Sequence, residues 1–171
     1  MNITLRKISI LDEQMPECIA LSVLPEQREF VASNAESLAW AYDQNKIYEE
    51  DGKGFIIVPY AVYEGDKMVG FTMYGYCPPD AEDSDDQFNT TEHYYYFWRL
   101  LIDKHHQGRG IGREVVRQVM AEIRTQPCGA ANFCYMSYEP SNIGSKATFA
   151  SYGFKEDGRE IDGETVAVFP L

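Results

Sequence analysis

The chain has 171 residues, of which 44% are hydrophobic and 25% charged, with a formal net charge of −12. A chain this long buries a core without disulfides or a structural metal, and no apolar run approaches the ~20 residues a membrane helix needs. So acidic a surface repels nucleic acid and suits a cationic small-molecule partner. The first residues, Met1 to Lys7, lead straight into alternating sequence with no apolar signal core, so no export signal is expected and a cytoplasmic location is. Cys18, Cys77, Cys128 and Cys134 form no C-x-x-C pair and have no histidine at ligand spacing, so reduced thiols are expected rather than a metal site.

Thr4 to Ile8 alternates and predicts a first strand. A helix is predicted over Leu11 to Val23, ending before Pro25, and a second over Glu26 to Asn45, with Val31, Ala35, Leu38 and Tyr42 on one face. Asp51-Gly52-Lys53-Gly54 signals a turn. Phe55 to Glu64 and Met68 to Tyr76 read as a strand pair joined by the tight turn Glu64-Gly65-Asp66-Lys67, with Pro78 and Pro79 ending the second strand. Asp80 to Asp86 carries five acids in seven residues and is expected to be an exposed loop that attracts cations or is merely solvated.

Tyr94 to Ile102 is apolar or aromatic at nearly every position, the pattern of a central strand covered on both faces. A helix is predicted over Arg109 to Arg124, with Ile111, Val115, Val119 and Ile123 as its apolar stripe and Val116 and Met120 beside it. A strand over Ala131 to Tyr138 follows, then a helix over Ser141 to Tyr152 ending at Gly153. The hairpin turn Ile161-Asp162-Gly163-Glu164 joins strands near Phe154 to Glu156 and Thr165 to Phe169. The order is a strand, two helices, three strands, then helix, strand, helix and a closing hairpin. It predicts one α/β domain over residues 1–171, built round a single mixed sheet.

The chemistry concentrates between Arg99 and Gly112. A buried strand ends at Ile102, and Gly108, Gly110 and Gly112 fall where the next helix begins. Glycine lets a ligand approach the backbone, and the first N–H groups of a helix form an anion site. Arg109 and Arg113 add positive charge. A pyrophosphate fits such a place, although the segment is neither a G-x-G-x-x-G fingerprint nor a P-loop.

Gln107-x-x-Gly110-x-Gly112 after a buried strand resembles the acetyl-coenzyme A signature of the GNAT (Gcn5-related N-acetyltransferase) superfamily. The element order resembles the same fold, and Asn142 with Gly153-Phe154 resembles its second motif. The resemblance implies a largely antiparallel sheet flanked by helices and acetyl-CoA as co-substrate. It also implies that the backbone of Leu100, Leu101 and Ile102 holds the pantetheine arm. The segment Gln107, Gly108, Arg109, Gly110, Ile111 and Gly112 would hold the pyrophosphate, and Asn142 would contact the cofactor arm. Three further segments are similar to bacterial diamine (spermine/spermidine) acetyltransferases: Glu29 to Ala39, Trp98 to Asp103 with Gln107 to Gly110, and Gly163 to Val168. That likeness implies a polyamine or another small amine as acceptor. A homodimer is suggested only by the family resemblance.

The sequence departs from the family at both proton-transfer positions. Seven residues after Asn142, where many members carry a tyrosine that protonates the leaving thiolate, stands Phe149. Tyr152 lies three residues on, ~300° round the helix, a candidate acid or a packing residue. Eleven residues before Gln107, where a glutamate is common, stands Tyr96; Tyr96, Glu92 and His93 are candidate bases. Arg99, inside an apolar strand, is expected to form an ion pair or contact substrate. The aromatic run from His93 to Trp98 is either core or a wall for an alkylammonium chain. The expected reaction is acetyl transfer to a primary amine of a polyamine; the other acceptors open are a drug, an amino-acid amine or a protein amine. The two missing side chains also leave open an acyl-CoA sensor without turnover.

Overall fold

The computed structural model describes residues 2–52, 54–79 and 91–171. The acidic segment Asp80 to Asp86 lies outside the described residues. Seven strands form one sheet in the order β1-β2-β3-β4-β5-β7-β6. They are β1 Ile3–Lys7, β2 Ile56–Glu64, β3 Lys67–Cys77, β4 Tyr94–Ile102, β5 Phe133–Tyr138, β6 Lys155–Ile161 and β7 Glu164–Pro170. Among these neighbours β4 and β5 run parallel and the others antiparallel. The helices are α1 Met15–Ala20, α2 Asn34–Asp51, α3 Ile111–Ile123 and α4 Ile143–Tyr152. The element order and the mixed, largely antiparallel sheet match the expectation.

Two cores cover the two faces of the sheet. On one, α3 buries Ile111, Val115, Val116, Val119, Met120 and Ile123, the stripe read from the sequence, together with Phe149 of α4. On the other, Cys18 of α1 and Leu38 and Ala41 of α2 pack on Ile57, Phe71 and Leu101. The first two helices are shorter and later than expected. Pro16 stands in the first turn of α1 and Leu21 is already extended, so that helix covers only Met15–Ala20. The helix α2 starts at Asn34 because Ser33 and Glu36 close a capping box there. Val31 therefore precedes the helix, and Tyr42, expected on the buried face, is exposed. The strand expected near Phe154 to Glu156 runs on to Ile161.

The feature that positions the site is a break of phase in β4. Met73 pairs with Arg99 and Tyr74 with Phe97, so Trp98 is an extra residue, a β-bulge. Before it, Tyr95 and Phe97 face the α3 core; after it, Leu100 and Ile102 do. The bulge thus turns the neighbours Trp98 and Arg99 away from that core together. Gly75 makes room opposite, where a Cβ would lie 2.9 Å from Ile57 and 3.0 Å from the Trp98 ring.

Candidate functional site

The strands β4 and β5 pair only at Tyr95↔Cys134 and Tyr96↔Tyr135 and then part. Among the described residues this leaves the β5-side edge of β4 without a paired strand over Trp98 to Ile102, where its backbone groups can serve a ligand as an added strand would. A cleft of about 440 Å³ occupies the gap, lined among others by Leu100, Ile102, Gln107, Gly108, Gly110, Gly112, Asn142 and Phe149.

At the helical end of the cleft the chain supplies unsatisfied donors. Gly110 is the N-cap of α3, and the first bond into the helix is from Glu114 N–H to the Gly110 carbonyl. The amides of Ile111, Gly112 and Arg113 thus have no partner within the helix and point outward. Gly108 and Gly110 have φ of 75° and 82°, left-handed values that favour glycine, and a Cβ on either would meet nothing within 4 Å. The cradle is open on the side where these two glycines line the cleft. At Gly112 a Cβ would sit 3.8 Å from Leu100 and Thr148, an ordinary contact.

One side chain differs in place from the sequence expectation. Arg109 is absent from the lining: its guanidinium forks onto Glu64, so only its backbone belongs to the loop. Arg113 does line the cleft. The Gln107 amide donates to the Ile102 carbonyl at 2.9 Å and to Gln27 at 2.8 Å, bracing the loop against the end of β4. Leu101 points its side chain into the α2 core, leaving its backbone on the strand edge. Asn142 Oδ1 accepts from Ser145 N–H at 3.0 Å and so caps α4, while its side-chain NH₂ remains a donor.

Phe149 is buried, edge-on to Phe97 and Phe154, in the wall of the cleft. Tyr152 is not among the lining residues; its ring packs 5.2 Å from Phe169 and 6.3 Å from Phe154. Glu92 accepts from Asn132, and His93 stacks on Tyr76 at 5.0 Å, both outside the cleft.

Beyond the bulge the cleft opens onto the other face of the sheet. Here Tyr96 and Trp98 meet edge to face at 4.7 Å, and Trp98 rests on Trp40 at 4.4 Å. Tyr96 and Ser137 Oγ are 2.6 Å apart, and Ser137 donates to the Glu164 carboxylate. Burial, the largest cause, pushes the Tyr96 phenol well above its ordinary range. Arg99 also lines this end. Its Nη1 donates to the Trp98 carbonyl at 3.0 Å, its Nε has no hydrogen-bond partner among the described residues, and burial pulls its pKa down. The ion pair expected for Arg99 is not formed among the described residues: Glu36, the α2 carboxylate it senses, is engaged by the Ser33 cap.

Residues 12–154 match the Acetyltransferase (GNAT) family. The chain belongs to that family. It is 32% identical over 111 residues to a probable spermine N(1)-acetyltransferase of Bacillus subtilis subsp. natto, an alignment covering 64% of this chain and 66% of that protein. The matched stretch is thus just under two thirds of the relative's length. In fold it is similar to an acetyltransferase from Thermus thermophilus (TM-score 0.64, 22% identity, 100% of this chain and 98% of that one). It is also similar to the aminoglycoside acetyltransferase AAC(6')-Ib in complex with coenzyme A (TM-score 0.70, 15% identity, 99% and 95%).

The chain's own residues fit a ligand of the coenzyme A kind. Outward amides and Arg113 suit a pyrophosphate, and the free edge of β4 suits an arm rich in amides. Ser137 and Glu164 were missed in the sequence. They are 27 residues apart and meet because β7 pairs with β5, placing Val166 opposite Ser137. The one local signal was a carboxylate directly after the Asp162-Gly163 turn.

Proposed function

We propose that this GNAT-family chain transfers an acetyl group from acetyl-CoA to a primary amine, with a polyamine such as spermine or spermidine as acceptor. The observation that carries the transfer reading is the parting of β4 from β5 directly in front of the glycine-lined start of α3. Acetyl-CoA supplies, when bound, a thioester carbonyl carbon open to an amine. The backbone of Leu100, Leu101 and Ile102 holds the arm, and the segment from Gln107 to Gly112 holds the pyrophosphate. Asn142 donates from the start of α4. Phe149 offers packing and no proton, so solvent protonates the departing thiol, whose ordinary pKa near 8.5 permits it.

The acceptor end suits a cation. Trp98 and Tyr96 line it with aromatic rings, Glu164 supplies a carboxylate, and the chain as a whole carries −12. The likeness to a spermine acetyltransferase supports the same acceptor. Arg99 favours a second reading. A desolvated guanidinium whose Nε has no partner among the described residues suits an acceptor that carries a carboxylate beside its amine, such as an amino acid.

The experiment is thiol release from acetyl-CoA with spermine, spermidine, putrescine, an aminoglycoside, a lysine peptide and free amino acids, with mass spectrometry of the products. Acetylated spermine or spermidine supports the first reading, and turnover confined to amino acids supports the second. Tight coenzyme A binding without thiol release from any of them favours a non-catalytic acyl-CoA sensor.

A further inference from the structure

The chain from Tyr96 through Ser137 to Glu164 crosses three strands, β4, β5 and β7, and each member lines the cleft. Its hydrogen-bond polarity is fixed by chemistry. An ionised carboxylate only accepts, so Ser137 gives its one proton to Glu164. The Ser137 oxygen is then the acceptor for Tyr96, whose hydroxyl proton points along the chain toward the carboxylate. The three groups are aligned to move protons in one direction, from Tyr96 to Glu164.

We infer that Glu164 is the terminal proton acceptor of the reaction, reached from the acceptor's ammonium group through Tyr96 and Ser137; this rests on the amine-acetylation reading above. An ammonium nitrogen has no lone pair and must lose a proton before it attacks. Tyr96 alone is no base, because burial strengthens its hold on its own proton. In the relay the ammonium gives a proton to Tyr96 Oη as Tyr96 passes its own to Ser137 Oγ and Ser137 passes its own to Glu164. Tyrosine and serine end neutral, and the carboxyl is protonated. The freed lone pair forms the C–N bond, the C–S bond breaks, and its electron pair leaves on sulfur. The second nitrogen proton leaves to solvent, solvent protonates the thiolate, and Glu164 returns its own proton to solvent. Moving the first proton turns an ammonium and a carboxylate into two neutral groups.

Among the described residues, the charged and titratable groups around this chain come from five elements. Arg99 of β4 acts on both Tyr96 and Glu164, and Glu36 of α2 acts on Arg99. Cys77 of β3 adjoins Tyr96. Tyr135 of β5 carries the Arg159 guanidinium 5.1 Å above its ring. On β6, Arg159 is closed on Asp157, and Glu160 pairs in register with Thr165.

The test uses an amine that the wild-type protein acetylates, with kcat measured from pH 7 to pH 10 for wild type, Glu164→Gln, Ser137→Ala and Tyr96→Phe, and coenzyme A affinity alongside. The expected result is a loss of at least 100-fold in kcat for Glu164→Gln at pH 7. That loss should shrink at least tenfold towards pH 10, where the amine arrives already neutral. Ser137→Ala and Tyr96→Phe should follow the same convergence, with coenzyme A affinity unchanged. A merely structural Glu164 gives a deficit that does not converge with pH, and that result, or no deficit, overturns the inference while leaving the acetyltransferase reading standing. Should Glu164→Gln lose coenzyme A binding through misfolding, Ser137→Ala decides by the same criterion. A wild type that acetylates no amine overturns the functional reading, and the inference with it.

Discussion

Arg109 forks onto Glu64, its two terminal nitrogens 2.7 and 2.8 Å from the carboxylate oxygens, and ties the loop before α3 to the end of β2. The pair also holds the Glu64 carboxyl below its usual range, chiefly through the hydrogen bonds from Arg109. Arg109 is half exposed and does not reach the cleft, and exposed pairs contribute little to stability. Arg109→Ala is expected to shift the melting temperature by no more than about 3 °C and coenzyme A affinity by no more than about threefold. Arg113→Ala, in the lining, is expected to weaken that affinity about tenfold, roughly 1.4 kcal/mol. Calorimetric titration of both variants checks the contrast.

Gly110 separates backbone strain from occupancy of the cradle. Its φ of 82° costs an L-residue about 1–2 kcal/mol, while a Cβ meets no atom within 4 Å. Gly110→Ala is therefore expected to fold, lose about that much stability and still bind coenzyme A. Gly110→Glu is expected to fold as well and to lose binding, because its carboxylate enters the cradle proposed for the pyrophosphate. Unchanged affinity in a folded Gly110→Glu protein, read by titration beside a melting curve, would remove this loop from the site.

The end of the cleft proposed for the cofactor was legible because it is contiguous: a buried strand, a turn, three glycines and an apolar stripe follow one another between Tyr94 and Ile123. The acceptor end was not, because its parts meet only through the sheet. The bulge at Trp98 turns Arg99 and Trp98 to the same side, and no alternation rule shows that. Ser137 and Glu164 meet only because β7 lies beside β5. Arg109 looked like a ligand because it sits inside the motif, but Glu64, 45 residues away, claims its side chain. The late start of α2 was written in Ser33-Asn34-Ala35-Glu36, a capping box that outweighed the apolar spacing running through it.

Glu122 accepts from Tyr60 at 2.6 and 2.7 Å and from Tyr74 at 2.9 Å, beneath the carboxyl end of α3. Glu122→Leu leaves two buried hydroxyls without that acceptor, and each such loss costs about 1–3 kcal/mol. The variant is expected to lose about 3 kcal/mol in urea unfolding without a change in coenzyme A affinity.

The same tyrosines make the fold sensitive to alkali. Burial first, with Glu122 second, raises the pKa values of Tyr60 and Tyr74, and burial pushes Tyr95 up to about 12. The folded state thus holds these protons beyond the pH, near 10, at which an unfolded tyrosine releases its own. The stability they contribute is whole below about pH 10 and is lost as pH rises towards the folded values, at roughly 1.4 kcal/mol per pH unit for each group. Urea unfolding between pH 8 and 11 is expected to show a plateau and then a steep fall. A flat profile to pH 11 would contradict it.

Arg99 sets stability against recognition. Burying a guanidinium whose Nε finds no partner among the described residues is unfavourable, and burial is the largest cause of its lowered pKa. Replacing it by an uncharged chain of similar length removes that cost, so Arg99→Met is expected to melt at a temperature equal to or above the wild type's. The two acceptor readings predict opposite kinetics for this variant. If the acceptor carries a carboxylate, Arg99→Met should lose at least tenfold in kcat/KM, because the anion's partner is gone. If the acceptor is a polyamine, removing a like charge from the cleft should leave kcat/KM equal or raise it. Melting curves and steady-state rates on one preparation separate the two, and a variant both less stable and equally active on every amine would show that Arg99 serves only to hold the bulge of β4.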